Sequence, residues 1–313
     1  MTQVVRNFNM PHQTSIFDSY PPQNSVTRFW AEDSKISHFV LESCPKIFKF
    51  ARQTMLDLHN HTTRCKHATG TMSEYVDTAL TQGVSVYGFA CHAPMDYDTG
   101  FRMGFDELQD YFHDIEKLQE RYSGRCLIRK GLEVDYLPKH LDSRVLDADV
   151  DYLIGSVHFL DDWGFDNPQL IGEYMRQDML QCWQRYLHTI RDMAKSGLFQ
   201  IVGHFDLLKI FNNPPDDSLC DAIAQTLESI QDAGMALEIN SAGLRKPIGE
   251  IYPSKQILRK AFALGIPITF GSDAHAVQQV GFGRESAQKL AKDVGYTEML
   301  DFHKRSPIVC RIP

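Results

Sequence analysis

The feature that most constrains this chain is where its histidines fall. Seven of the thirteen, with one glutamate and one aspartate, stand on or just past short apolar runs spread along the sequence. They are His59 and His61 in Leu-Asp-Leu-His-Asn-His, His67 in Cys-Lys-His-Ala, His92 in Ala-Cys-His-Ala-Pro, Glu133 in Gly-Leu-Glu-Val-Asp, His158 in Ser-Val-His-Phe, His204 in Val-Gly-His-Phe, and Asp273 with His275 in Gly-Ser-Asp-Ala-His. An imidazole at the end of a buried strand must be paired or bind something, because an unsatisfied polar group in an apolar surround is costly. A lone His-x-His, or Gly-Ser-Asp-Ala-His by itself, has an ordinary reading as a capped turn or a satisfied core residue. Repetition changes that, since the ordinary reading then needs a separate coincidence for each segment, and a polynuclear metal site needs only one cause.

The same runs predict the architecture. Met55 to His59, Val84 to Cys91, Cys126 to Val134, Tyr152 to Phe159, Ile201 to Phe205, Met235 to Ile239 and Ile266 to Phe270 read as strands. Amphipathic stretches lie between them: Ser73 to Thr81 with Ser73 as N-cap, Phe105 to Arg121, Ile171 to Lys195, Asp217 to Asp232 and Pro253 to Leu264. Strand alternating with helix implies parallel pairing, in an open sheet or a closed barrel. An open doubly wound sheet gathers its site at one switch point, whereas a barrel gathers side chains from the C-terminal ends of most strands. Here nearly every strand contributes, so an α/β barrel of about seven strands is expected. Side chains alternate along a strand, so His59 with His61, and Asp273 with His275, point the same way and form two-toothed clamps.

Composition excludes several classes. With 313 residues and 43% apolar residues the chain can bury a large core. Thirty-two Lys and Arg against forty Asp and Glu give a net charge of −8, which disfavours nucleic acid as a partner. No run approaches a membrane span and the start has no apolar core of signal-peptide length. Seven irregularly placed cysteines suggest reduced thiols, and with them a cytoplasmic protein. Residues 1 to 53 show no sustained period, only a turn at Tyr20-Pro21-Pro22 and scattered aromatics such as Phe17, Phe29 and Trp30; they read as an N-terminal extension ahead of a domain over 54 to 313. His12, His38, His113, His140, His188 and His303 fall in that extension, in helical patterns or near polar turns, where solvated or capping roles are expected.

The order and wording of the segments resemble a known family, the PHP (polymerase and histidinol phosphatase) superfamily, and within it the monofunctional histidinol-phosphate phosphatases. The resemblance runs from about Met55 to about Tyr296, through Cys-Lys-His-Ala-Thr-Gly, His-Ala-Pro-Met, Gly-Leu-Glu-Val-Asp-Tyr-Leu-Pro, Gly-Ser-Val-His-Phe-Leu-Asp-Asp-Trp-Gly-Phe-Asp-Asn-Pro and Gly-Leu-Arg-Lys-Pro. It implies a distorted (β/α)7 barrel and three metal positions. One would be held by His59, His61, Glu133 and Asp273; a second by Glu133 as a bridge with His158 and His204; a third by His67, His92 and His275. Imidazole-rich sites with carboxylates suit zinc or manganese, with iron also compatible, better than the all-oxygen cations. The sequence departs from the family at Cys91, where an acidic residue usually precedes the histidine, and in its long lead.

The implied activity is hydrolysis of a small phosphomonoester, L-histidinol phosphate, in histidine biosynthesis, with Glu133 and Asp273 as catalytic carboxylates. The substrate-binding residues read from the sequence are Arg245 and Lys246 at the rim, Arg102 as a second phosphate contact, Ser241 (with Asn240) as a donor, and Trp163 with Phe165 as a stacking surface beside Asp161 or Asp162. For the Arg245-Lys246 pair a solvated loop, and for Ser241 and Asn240 a satisfied turn, are the competing readings. Two other functions stay open: a phosphodiesterase or exonuclease of the same superfamily, and a metal-binding module without turnover.

Overall fold

Runs of fully buried residues become strands and the stretches between them become helices. A computed structural model describes residues 54–313; the expectations for residues 1–53 lie outside the described residues. In chain order the elements are β1 (Leu56–Asp57), α1 (Met72–Thr81), β2 (Val86–His92), α2 (Leu108–Arg121), β3 (Leu127–Asp135), α3 (Ser143–Leu146), β4 (Tyr152–Ser156), β5 (Phe159–Leu160), β6 (Trp163–Gly164), α4 (Met179–Lys195), β7 (Ile201–Val202), α5 (Cys220–Asp232), β8 (Ala236–Asn240), α6 (Lys255–Ala263), β9 (Ile268–Gly271), α7 (Arg284–Val294), β10 (Glu298–His303) and β11 (Ser306–Arg311).

Seven of the strands form one parallel sheet in the order β1-β2-β3-β4-β7-β8-β9. The sheet curves back on itself. Leu58 N donates to Phe270 O (2.8 Å), Asp273 N to His59 O (2.7 Å) and His61 N to Ala274 O (2.9 Å), and Asn60 pairs with Ala274 in a parallel bridge. These bonds join the first strand's continuation to the last, and the distorted seven-stranded barrel results. Its strands carry continuous rather than alternating apolar residues because both faces are covered, one by helices and one by the barrel interior.

Side chains fill that interior. Tyr152, at the start of β4, crosses the barrel and donates its hydroxyl to Leu58 O at 2.5 Å. The crossing requires glycine on the strands beneath it: a Cβ on Gly88 would lie 2.0 Å from the Tyr152 oxygen, and one on Gly131 2.4 Å from its ring. At the same end, the antiparallel β10–β11 hairpin reaches in to place Asp301 against Arg129 of β3, with Nη2 to Oδ2 at 2.6 Å and Nε to Oδ1 at 3.0 Å.

Several predicted boundaries move for identifiable reasons. Helix α1 starts one residue earlier and its N-cap is Thr71, not Ser73, because Thr71 and Glu74 form a reciprocal capping box. The predicted helix from Ile171 begins only at Met179, where Asp178 caps it; Pro168–Arg176 winds as 3-10 turns instead. The predicted strand through Phe159 stops at Ser156, and Phe159–Leu160 pairs with Trp163–Gly164 in a small hairpin. That hairpin, α7 and β10–β11 were not read from the sequence. No helix among the described residues is long and apolar enough to cross a membrane, and Cys65, Cys91, Cys126, Cys182, Cys220 and Cys310 are free thiols.

Candidate metal centre

All nine predicted ligands converge at the C-terminal ends of the barrel strands. His59 and His61 extend from β1, His92 ends β2, Glu133 lies on β3, and His158, His204 and the Asp273–His275 pair follow β4, β7 and β9. His67 arrives from the loop after a 3-10 turn at Thr63–Cys65, whose exit residue Lys66 is left-handed. Parallel pairing puts these ends side by side, for example His92 opposite Glu133 in the β2–β3 register.

Glu133 is the hub. Its Oε2 lies 3.0 Å from His92 Nδ1, 3.4 Å from His59 Nε2 and 3.5 Å from His61 Nε2. Its Oε1 lies 2.9 Å from His204 Nε2 and 3.5 Å from His158 Nε2, and accepts from Ser156 Oγ at 2.8 Å. Asp273 Oδ1 sits 3.1 Å from His61 Nε2 and 3.4 Å from His275 Nδ1. The His275 ring stacks on His61 and His67 at centroid distances of 3.8 and 4.6 Å, which brings in the ninth residue.

Several buried polar atoms here have no hydrogen-bond partner: His59 Nε2, both His61 nitrogens, His92 Nδ1, Glu133 Oε2, His204 Nδ1 and His275 Nε2. Native interiors rarely leave such atoms unanswered, and these crowd into one space. The triads His61/His92/His275 and His59/His61/Asp273 each place their donor atoms within 4.8 Å of one another, close enough to share a cation. The donor set fits transition-metal ions, being rich in imidazole with carboxylates between.

The packed carboxylates and imidazoles shift one another in both directions. Burial pushes Glu133 up, but the imidazoles of His59, His92 and His158 outweigh it and hold the carboxyl well below its usual range. Asp273 is likewise held low against burial, by His59 and His61. Burial, then the neighbouring His92 and His61, push His67 down to about 4. Against its burial, His158 is pushed up to about 10 by Asp135 and Glu133.

Other residues hold these side chains in place, and most were missed in the sequence. Glu238 Oε1 takes His59 Nδ1 at 2.7 Å, and its Oε2 accepts the His204 backbone N–H at 2.9 Å. That second bond fixes His204 in a left-handed backbone conformation (φ 21°), strained for a non-glycine residue. Asp135 Oδ1 takes His158 Nδ1 at 2.6 Å. Asp57 accepts from both the N–H and the hydroxyl of Ser272 (2.9 and 2.6 Å), clasping β1 to the turn that carries Asp273. A signal existed: Asp57, Asp135 and Glu238 are carboxylates inside apolar runs, and Asp57 and Asp135 each stand two residues from a candidate ligand.

The predicted substrate contacts divide. Arg245 gives Nη2 to Ser272 O (2.8 Å) and Asp273 O (3.0 Å), beside the cluster, and its buried Nη1 has no partner. Lys246 is exposed. Arg102 is buried and engaged elsewhere: Nη1 binds Asp135 Oδ2 at 2.8 Å and Nη2 binds Asp98 Oδ2 at 3.3 Å, so the guanidinium steadies the carboxylate that orients His158. Ser241 Oγ donates to Phe282 O at 2.5 Å, 41 residues away and outside its own turn, whereas Asn240 Oδ1 accepts from Ala242 N within the following turn. Trp163 is buried edge-to-face against Tyr174 at 4.8 Å. Asp161 is exposed and paired with Arg185.

Comparison with known proteins follows the same line. The PHP domain model matches residues 57–242. The chain is 40% identical over 256 residues to a protein of Deinococcus radiodurans described as a probable histidinol-phosphatase, covering 80% of this chain and 98% of that one. It is 31% identical over 262 residues to the histidinol-phosphatase of Bacillus subtilis, covering 74% and 97%. In three dimensions it is similar to the histidinol phosphate phosphatase of Lactococcus lactis, solved with zinc, L-histidinol and phosphate, with a TM-score of 0.70 at 22% identity over 82% of this chain and 99% of that one. A buried cluster of imidazoles and carboxylates on a seven-stranded parallel barrel thus has relatives matched over nearly their whole length, and the chain belongs to the PHP domain family, among the histidinol-phosphatases.

Proposed function

We propose that the chain hydrolyses L-histidinol phosphate to L-histidinol and phosphate through a cluster of three transition-metal ions held by its nine converging side chains. The observation that carries the reading is Glu133, buried and within 3.5 Å of five imidazoles, among polar atoms that have no other partner. His59, His61, Glu133 and Asp273 would hold one metal, Glu133 with His158 and His204 a second, and His67, His92 and His275 a third. The Lactococcus relative was solved with zinc, which suits the nitrogen-rich donors here; manganese and iron suit them also.

A phosphomonoester dianion repels an oxygen nucleophile, so hydrolysis needs positive charge on both sides of the phosphorus. Metals bound at this cluster supply that charge. The chain's own residues do the rest. Glu133 would join two of these positions and offset their charge. Asp273, with Oδ1 toward His61 and Oδ2 3.4 Å from Asn240 Nδ2, orients the attacking water. Arg245 has its guanidinium fixed by two backbone carbonyls beside Asp273, which leaves Nη1 to take a phosphoryl oxygen. Lys246 adds charge at the rim. The free thiols agree with a cytoplasmic setting.

The test is phosphate release from L-histidinol phosphate, an aryl phosphate and a dinucleotide, on protein of measured metal content, before and after exhaustive chelation. A strong preference for the first, lost on chelation and restored by zinc or manganese, supports the reading. Full activity without metal rejects the mechanism, and preference for the dinucleotide rejects the substrate.

A further inference from the structure

Four of the candidate ligand imidazoles have Nδ1 held by an oxygen: His59 by Glu238 (2.7 Å), His158 by Asp135 (2.6 Å), His67 by the Cys65 carbonyl (2.7 Å) and His275 by the Asp273 carbonyl (3.2 Å). Such an acceptor fixes the tautomer and the ring plane, so that Nε2 points at the metal. His61 stands apart. It is fully buried, and both of its nitrogens lack a hydrogen-bond partner. Nε2 faces Asp273 Oδ1 and Glu133 Oε2, at 3.1 and 3.5 Å. That leaves Nδ1 for the opposite edge of the ring, and sulfur is what the fold places nearby: a nitrogen of His61, Cys65 Sγ and Cys91 Sγ lie within 4.8 Å of one another, all in residues with 0% exposure. Cys91 Sγ already serves as an acceptor, for Thr62 N and Thr62 Oγ1, both at 3.4 Å. Its own backbone N–H donates to Tyr111 Oη of α2 at 3.2 Å, and that hydroxyl donates to Gly131 O of β3, which pins this point of β2 from the helix side.

We propose that Cys91 is the positioning residue for His61: its sulfur accepts a hydrogen bond from Nδ1–H and turns Nε2 toward the metal that His61 would share with Glu133 and Asp273. Sulfur here does the work that carboxylates do for His59 and His158, from the strand position directly before His92. One residue thereby ties the orientation of His61 to the backbone that presents His92. Cys65 packs behind the sulfur, and its contribution to the site runs through its carbonyl, which a side-chain change leaves in place. The inference rests on the metal reading above.

The experiment compares full-length wild type with Cys91→Val, Cys91→Asp and Cys65→Ala. It measures bound zinc, zinc affinity by competition with a chromophoric chelator, and the absorption of the cobalt-loaded proteins. Cys91→Val should weaken the most labile zinc by about 10- to 100-fold, the usual effect of losing a partner of a ligand histidine. Cys91→Asp should restore most of the affinity by supplying an oxygen acceptor, and Cys65→Ala should stay near wild type. Wild-type affinity in Cys91→Val overturns the proposal. So does weak zinc in a folded Cys91→Asp, which remains decisive should the valine variant fail to fold. Intense near-ultraviolet thiolate-to-cobalt absorption in the wild type overturns it as well, by making the sulfur itself a ligand. Wild type that binds no zinc overturns the metal reading and this inference with it, whereas zinc-replete wild type and an unaffected Cys91→Val remove only the inference.

Discussion

The two ends of the barrel bury similar chemistry and treat it in opposite ways. Where the strands begin, Arg129 and Asp301 are both buried and answer each other through three hydrogen bonds, while Asp151 takes Lys130 N, Lys304 N and His303 Nδ1. Where the strands end, five imidazoles crowd one carboxylate and several of their atoms have no partner in the protein. A satisfied buried network holds a fold together; an unsatisfied one of the same burial calls for another explanation, such as a bound ion. Barrels of alternating strands and helices separate the two roles in this manner, with stability at one end and chemistry at the other.

That contrast breaks if the ligand end tolerates loss of its hub. Glu133→Gln keeps the shape but removes the charge that would offset two metals in the proposed cluster, so turnover should fall by at least about a thousandfold, with metal content reduced. Near wild-type turnover and metal in this variant would withdraw Glu133 from the bridge.

At the opposite end the readout should be stability. Arg129→Ala leaves Asp301 buried without its partner and should cost about 3–5 kcal/mol in denaturant unfolding, while the folded fraction keeps its metals and kcat. Replacing both residues with Met and Leu should cost far less than the single change, since no charge is then stranded. A fall in kcat without a fall in stability would show that the ends are not separate.

The rim sharpens the picture on a smaller scale. Arg245→Ala should remove roughly 2–4 kcal/mol of transition-state stabilisation, about thirty- to a thousandfold in kcat/KM. Metal content should be unchanged, and Arg245→Lys should recover only part, because an ammonium lacks the planar fork. Wild-type kinetics for Arg245→Ala would make it a structural arginine that only braces the Ser272–Asp273 turn. The smallest effect is expected from the N-terminal extension, which supplies none of the nine side chains: a chain starting at Arg52 should keep its metals and turnover. Full metal with no turnover in that shortened protein would show that residues 1–51 complete the site.

The cluster was legible in the sequence because each member announces itself locally. His59 and His61, or Asp273 and His275, share a side by the two-residue period of an extended chain, and each follows an apolar run that can only be a buried strand. Arg102 shows the limit of that reasoning. A cation just after the His92 strand is a fair guess for a phosphate contact, yet its guanidinium meets Asp135, a residue 33 positions away that pairing of β2 with β3 brings within reach.

By itself, then, the sequence determined the alternation of strands and helices, the count of seven strands and the identity of the nine converging side chains, since burial on both faces and strand-end placement are properties of short segments. Only the tertiary structure decided which groups complete them: Glu238 behind His59, Asp135 behind His158, sulfur beside His61, and the clasp of Asp57 to Ser272 that closes β1 onto β9. Those partners lie up to 215 residues apart. Their meeting depends on the register and closure of a barrel, which no local pattern of residues encodes.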